Sequence, residues 1–282
     1  MSDIDYLAIG HVTRDLTPAG PRLGGSVTYS ALTARALGLR VALVTSMPRS
    51  LAPLAAPLDG VRIANLPTDV ATTFENVYTP AGRQQILSAR AAALTPDAVP
   101  PAWRSARMVH LAPVAGEVAA EFAAMPDGGC LCVTPQGWMR QWDEEGRVSF
   151  RHWEGADTVL AQAGAVVLSI EDVAGDESLA AYYARQARVA VVTRGAKGST
   201  LYVAGQAQAI PAPPVREVDP TGAGDVFAAS FFARLCATGD PLDAARFATL
   251  LASDSVTRAG LDGIPTPEAI ERAEARLAAG YL

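Results

Sequence analysis

The sequence predicts an α/β fold with a mostly parallel central sheet covered by helices on both faces. Three observations carry this expectation. Short apolar runs of strand length alternate with longer segments of helical periodicity. That βαβ alternation implies a parallel sheet with helices on either side. Half of the 282 residues are apolar, ample for the core of one α/β domain.

Taken in order, residues 6–10 read as a first strand, 27–39 as a helix ending at Gly38, and 41–45 as a second strand. Residues 107–111, 131–134, 165–169 and 189–193 read as further buried strands. Helices are expected between them at about 116–124, 154–163 and 177–187. Residues 71–88 read as a hairpin, 72–79 and 83–88, around the turn Pro80-Ala81-Gly82. An antiparallel pair fits 200–203 and 207–210. The last third is helical, at 223–237, 241–258 and 267–279, and Pro241 and Pro267 suit helix starts. There is no internal repeat or long linker, so residues 1–282 are expected to form a single domain with a small hairpin appended at about 71–88.

Composition excludes several functions. The net charge is −6 with no basic cluster, so no nucleic-acid partner is expected. No run approaches the ~18 apolar residues of a membrane span, and no signal peptide is legible, so a cytoplasmic location is expected. Three cysteines, Cys130, Cys132 and Cys236, are too few and odd in number for a disulfide framework. The three histidines, His11, His110 and His152, are too scattered for a His-rich metal site.

Function is concentrated in residues 219–225, Asp-Pro-Thr-Gly-Ala-Gly-Asp, which run into an apolar helix. Gly222, Ala223 and Gly224 present backbone N–H groups at that helix's N-terminus, where no intrahelical acceptor exists. The helix dipole adds partial positive charge, so the spot favours a phosphate. Asp225 places a carboxylate in the first turn, beside the anion pocket. Phosphoryl transfer needs charge stabilisation, positioning and an acceptor for the hydroxyl proton, and this heptapeptide offers all three. Read without Asp225, the same glycines and proline describe an ordinary helix start.

The string 219–225, with Phe227 following, resembles the C-terminal motif of the ribokinase-like (PfkB) carbohydrate kinases. The resemblance implies a three-layer αβα fold, with ATP and Mg²⁺ as cofactors and a sugar or polyol as acceptor. It implies that Asp225 is the base and that the backbone of Gly222, Ala223 and Gly224 forms the anion hole. It carries substrate-hydroxyl binding to Asp15, and close backbone approach to Gly24 and Gly25. Thr193 and Gly195, in the segment 193–198, would lie near the donor's phosphates or ribose. Ser169, Glu171 and Asp172 stand where the family has Asn-x-x-Glu, the Mg²⁺ and phosphate segment; a helix N-cap is the plainer reading of Ser169. Thr249 and Gly260 align with the nucleotide end, and Thr221, with Asp219, with a monovalent-cation (K⁺) loop. Asn76 and Arg83 on the hairpin are candidates to face the substrate.

Two departures stand out. The family has an Asn four residues after the second glycine, where this chain has Tyr29. Only eight residues, 16–23, separate Asp15 from Gly24, too few for two strands and a turn. A reduced β lid is therefore expected, and with it a monomer or weak homodimer. The strings 10–15, 23–25 and 135–140 look like the myo-inositol kinase branch, which would make Gln136 and Arg140 hydroxyl ligands. Two other readings stay open: a non-catalytic ligand-binding protein of this fold, and a kinase of a nucleoside or hydroxymethyl heterocycle.

Overall fold

The computed structural model describes residues 3–79 and 82–280, with only the backbone at residues 78, 79, 82 and 83. In chain order, β1 (Tyr6–Ile9), β2 (Thr13–Thr17) and β3 (Gly20–Gly24) lead into α1 (Ser26–Ala36). Next come β4 (Val41–Ser46), β5 (Arg62–Leu66), β6 (Thr72–Thr79) and β7 (Gly82–Ala89). The middle of the chain holds β8 (Met108–Leu111), β9 (Cys130–Val133), the short pair β10 (Arg140–Trp142) and β11 (Val148–Phe150), and the one-turn α2 (Ala156–Leu160). It continues through β12 (Ala165–Ser169), α3 (Glu177–Gln186), β13 (Val189–Thr193), β14 (Ser199–Val203) and β15 (Gln206–Ile210). Three helices close it: α4 (Ala223–Thr238), α5 (Pro241–Ser255) and α6 (Pro267–Ala278).

Nine strands form one sheet in the order β15-β14-β13-β12-β9-β8-β1-β4-β5. All neighbours are parallel except β13–β14 and β14–β15. Alternate side chains of each strand feed opposite layers. From β1, Tyr6 and Ala8 pack with Val27 of α1 and Phe227, Phe231 and Phe232 of α4. Leu7 and Ile9 face the other layer, with Phe122, Val159 of α2 and Tyr183 of α3. Helix α4 is apolar nearly all round, because it lies between the sheet and α5. The three-layer αβα architecture expected from the sequence is present. The strand β5, with its mixed segment Arg62–Leu66, was not foreseen.

Two expectations are corrected. The lid is not reduced: β3-β2-β6-β7 make a four-stranded sheet. Counting only residues 16–23 hid two strands, because Asp15 lies inside β2 and Gly24 inside β3. The turn between them needs only Pro18 and Ala19. The expected helix at 116–124 is a loop followed by a 3₁₀ segment at Ala120–Ala124. Its would-be first-turn acid, Glu117, is buried and accepts N–H bonds from His11, Val114 and Ala115 at 2.7–3.0 Å, holding the chain in a tight loop.

The lid is tied to the sheet by a second buried network. His11 lies just past β1, and burial keeps it neutral by lowering its pKa. Its Nε2 donates to the Ala92 carbonyl (2.9 Å), and its Nδ1 accepts from the Thr72 hydroxyl (2.7 Å). Thr72 in turn accepts from the Ala91 N–H. Both roots of the β6–β7 hairpin thus hang on the end of β1.

Candidate active site

Asp15, Arg140, Asp172 and Asp225, four of the residues singled out in the sequence, lie close enough to act on one another's charge, beyond the carboxyl ends of the strands where ligands bind in such sheets. The N-terminus of α4 forms the floor. Gly222 caps the helix with φ +80°, and a Cβ there would sit 2.2 Å from the Tyr29 ring. Only glycine allows both that backbone and that approach. Tyr29 is thus an aromatic wall beneath the anion pocket rather than a polar ligand in the family's asparagine position.

Asp225 follows in the first turn, half-buried. Burial, with the charges of Asp172 and Asp15, pushes its carboxyl up to about 7 against the downward pull of a hydrogen bond from Ser26 and the charge of Arg140. Ser26 is the first residue of α1 and is buried. Sequence reasoning missed it, although its place directly after the glycine pair was the available signal.

The lid supplies the opposite wall. Register aligns Asp15 with Arg22 on β3 and with Phe74 on β6, so the three side chains share one lid face. Asp15 accepts from the Thr13 hydroxyl at 2.7 Å. A Cβ on Gly24 would fall 2.2 Å from the Asp15 carboxylate, so the first glycine of the pair makes room for Asp15 itself. Asn76 lies two residues beyond Phe74 on the same face, and its amide oxygen accepts from Gln85 at 3.3 Å. The Arg83 side chain lies outside the described residues.

Arg140 reaches in from β10, donating to the Val114 carbonyl (3.0 Å) with its guanidinium 5.6 Å from the Phe74 ring centre. Its charge acts on both Asp172 and Asp225. Gln136 donates to Asp172 at 3.0 Å, so it orients a carboxylate where a hydroxyl ligand was expected. Asp172 also accepts the Ser169 N–H at 2.8 Å, and Ser169 accepts the Glu171 N–H, closing a capping box. Burial raises the Asp172 carboxyl. Glu171 is exposed. Among the described residues no group of three His, Cys, Asp or Glu is placed to hold a metal.

On the far side, Thr193 ends β13 and Gly195 follows with φ +54°. The carboxylate of Asp219 links two loops, accepting from the Thr221 N–H (2.9 Å) and the Gly260 N–H (3.0 Å). Thr249 does not face the cleft: it is buried in α5, and its hydroxyl bonds the Ala245 carbonyl.

Comparison with known proteins agrees with this geometry. The model of the pfkB family carbohydrate kinases matches residues 164–269, the stretch holding β12, β13 and the N-terminus of α4. Residues 164–269 thus carry the likeness to the pfkB family, and the fold around them is the ribokinase one. A fructokinase of Klebsiella pneumoniae is 39% identical over 104 residues, 34% of this chain and 34% of that one. The bifunctional protein HldE of Caulobacter sp. (strain K31) is 40% identical over 82 residues, 29% of this chain and 17% of that protein. The chain thus spans about a third or less of the curated relatives it matches. The solved structures match over the whole fold. A pyrophosphate-dependent kinase of the ribokinase family, complexed with a pyrophosphate analog and myo-inositol, has TM-score 0.81 at 22% identity, covering 95% of this chain and 99% of that one. Thermotoga maritima ribokinase gives 0.74 at 18%, covering 96% and 99%. The matched segment supplies the α4 floor of the cleft together with β12 and β13, and the lid and α1 lie N-terminal to it. No described helix is long and apolar enough to cross a membrane.

Proposed function

We propose that this chain is a phosphotransferase that moves a phosphoryl group from ATP to a hydroxyl of a small sugar or cyclitol. The observation that carries the reading is the Asp225 carboxyl, raised to about 7 beside the helix-terminal N–H groups of the 222–225 turn and across the cleft from Asp15. A base with a pKa near the working pH accepts a hydroxyl proton efficiently. The adjoining N–H groups stabilise the phosphoryl oxygens. A non-catalytic binding protein has no use for a carboxylate held at that cost.

The residues divide the work. Asp15 accepts hydrogen bonds from acceptor hydroxyls and fixes which oxygen points at the donor. Ser26 orients the Asp225 carboxylate. As the acceptor oxygen attacks the terminal phosphorus, its proton passes to Asp225, the bond to the leaving phosphate breaks, and the negative charge on the transferred group rests on the 222–225 turn. Mg²⁺ bound with the donor would neutralise its phosphates. Asp172, backed by Gln136 and Ser169, would hold that ion through water, in keeping with the few protein ligands Mg²⁺ takes.

One observation favours a second donor. Thr249, expected at the nucleotide end, turns its hydroxyl into its own helix. Pyrophosphate, the donor named for a structural neighbour, needs no base contact. The test is turnover across ribose, fructose, nucleosides and myo-inositol, each with Mg²⁺ and either ATP or pyrophosphate. Phosphorylation of a polyol by ATP supports the reading; by pyrophosphate alone, it replaces the donor; no turnover with any pair rejects it.

A further inference from the structure

The lid carries a cation whose position the acceptor does not explain. Arg22 on β3 is the register partner of Asp15, so both side chains leave the lid on the same face. Asp15 reaches the cleft from that face, and its charge is felt at Asp225. Arg22 extends past it toward the N-terminus of α4. Its Nη1 lies 4.0 Å from the point a Gly260 Cβ would occupy, and the Tyr29 hydroxyl lies 3.9 Å from that same point. The Tyr29 ring in turn touches Gly222, the cap of the anion pocket. Arg22 therefore stands at the rim of that pocket.

The charge balance of the cleft calls for such a group. Asp15, Asp172, Asp219 and Asp225 surround a space that must receive a polyanionic donor. Among the described residues, Arg140 acts on Asp172 and Asp225, and Arg22 acts on Asp219. Arg140 is committed to the Val114 carbonyl and the Phe74 ring. Arg22 is exposed and, among the described residues, takes part in no salt bridge. A guanidinium offers only donors, in a fork that matches phosphate oxygens. A neutral polyol gives it little to bind that Asp15 does not bind better.

We propose that Arg22 is a donor-binding residue carried by the lid, its guanidinium contacting the non-transferred phosphate that leaves in the reaction. This rests on the reading of the chain as a phosphotransferase. Charge grows on that phosphate as its bond to the transferred phosphorus breaks, so Arg22 acts in the transition state as well as in binding. Because Arg22 and Asp15 ride on one hairpin, a single lid position would serve donor and acceptor together.

The experiment compares wild type, Arg22→Ala and Arg22→Lys, with thermal melts to establish folding, varying donor and acceptor separately. Expected for Arg22→Ala is a rise in donor KM with a fall in kcat, together roughly 10–100-fold in kcat/KM for the donor. Acceptor KM should change less than about 2-fold, and Arg22→Lys should recover part of the loss. A folded Arg22→Ala variant with wild-type donor kinetics, or one whose acceptor KM rises as much as its donor KM, overturns the proposal. Should wild type turn over no donor–acceptor pair, the phosphotransferase reading fails on its own. The proposal is then decided by calorimetric titration with inorganic pyrophosphate and with ATP: binding weakened by Arg22→Ala upholds it, and equal affinity overturns it.

Discussion

Replacing Asp225 with Asn separates stability from activity, and the structure sets the size of both effects. The carboxyl is moved from its ordinary 3.8 up to about 7, chiefly because burial penalises its charged form. A group raised in this way favours the folded state fully only below its unfolded pKa. As pH rises from about 4 to 7, the unfolded chain releases the proton before the folded one, and the wild type loses stability across that window. The shift corresponds to about 4 kcal/mol at neutral pH. Asp225 is only half-buried, so solvent screening reduces the expected value to about 2–4 kcal/mol. Asn keeps the shape, cannot ionise and still accepts from Ser26. The variant should therefore melt roughly 4–10 °C above wild type at pH 7.5, with the gap closing toward pH 4. Its turnover should fall by ~10²–10⁴ while donor affinity holds. The assay is a pair of melting curves against pH beside steady-state kinetics. A variant no more stable at pH 7.5 than at pH 4.5, relative to wild type, would refute the buried-charge argument. Near-normal turnover would refute the assignment of the base.

Three further outcomes are expected. Gly224→Ala should fold, because a Cβ there meets nothing within 4 Å, and alanine should gain up to ~1 kcal/mol as the better helix former; turnover should nonetheless drop, since that open space is where the phosphate would lie. Normal turnover in the folded variant removes the anion-pocket argument. Asp15→Ala should raise acceptor KM roughly 10–100-fold and leave donor affinity unchanged, as steady-state kinetics with each substrate varied will read. An equal loss of donor binding would make Asp15 structural. Glu117→Ala strands the N–H groups of His11, Val114 and Ala115, and should cost roughly 3 kcal/mol or more in chemical denaturation. A loss under about 1 kcal/mol would mean that the loop finds other acceptors.

What was legible in the sequence is what local pattern records. The six apolar runs became strands because alternate residues face two helical layers, and that leaves continuous apolar segments. The string 219–225 marked the floor of the cleft because the Gly222 cap and the proposed base Asp225 occupy one turn. What stayed hidden depends on partners distant in sequence. Glu117 looks like a helix-start acid until the backbone of residues 11 and 114–115 is seen to claim it. Gln136 looks like a free amide until Asp172, 36 residues on, accepts from it. β2 and β3 were missed because each shares residues with the motif that bounds it, and the motifs were counted as boundaries.

Tyr29 shows how one such long-range contact redistributes function. An asparagine at that place could offer a polar group to an acceptor. A tyrosine ring there needs the Gly222 Cα to lie against it, and its hydroxyl points to the Gly260 loop. Burial and the surrounding Asp15, Asp225 and Asp219 push its pKa above the ordinary tyrosine value, so it stays neutral and cannot act as a base. The floor of the cleft is then an uncharged wall that fixes the helix terminus and gives little hydroxyl recognition. In the proposed reaction, hydroxyl recognition would fall to the lid, where Asp15, Phe74 and Asn76 share a face, and to Arg140 beside Phe74. Since β2 and β6 hang on His11 and Thr72, a mutation at that buried hinge should alter acceptor KM without touching the acceptor site. Thr72→Val is the sharpest case: it keeps side-chain shape and removes the hydroxyl that bridges His11 and Ala91. Its expected cost is about 1–3 kcal/mol in stability, with acceptor KM and donor KM both raised, because Asp15 and Arg22 move with the lid together. A variant that loses stability but keeps wild-type acceptor KM would show that the hinge supports the lid without setting its position.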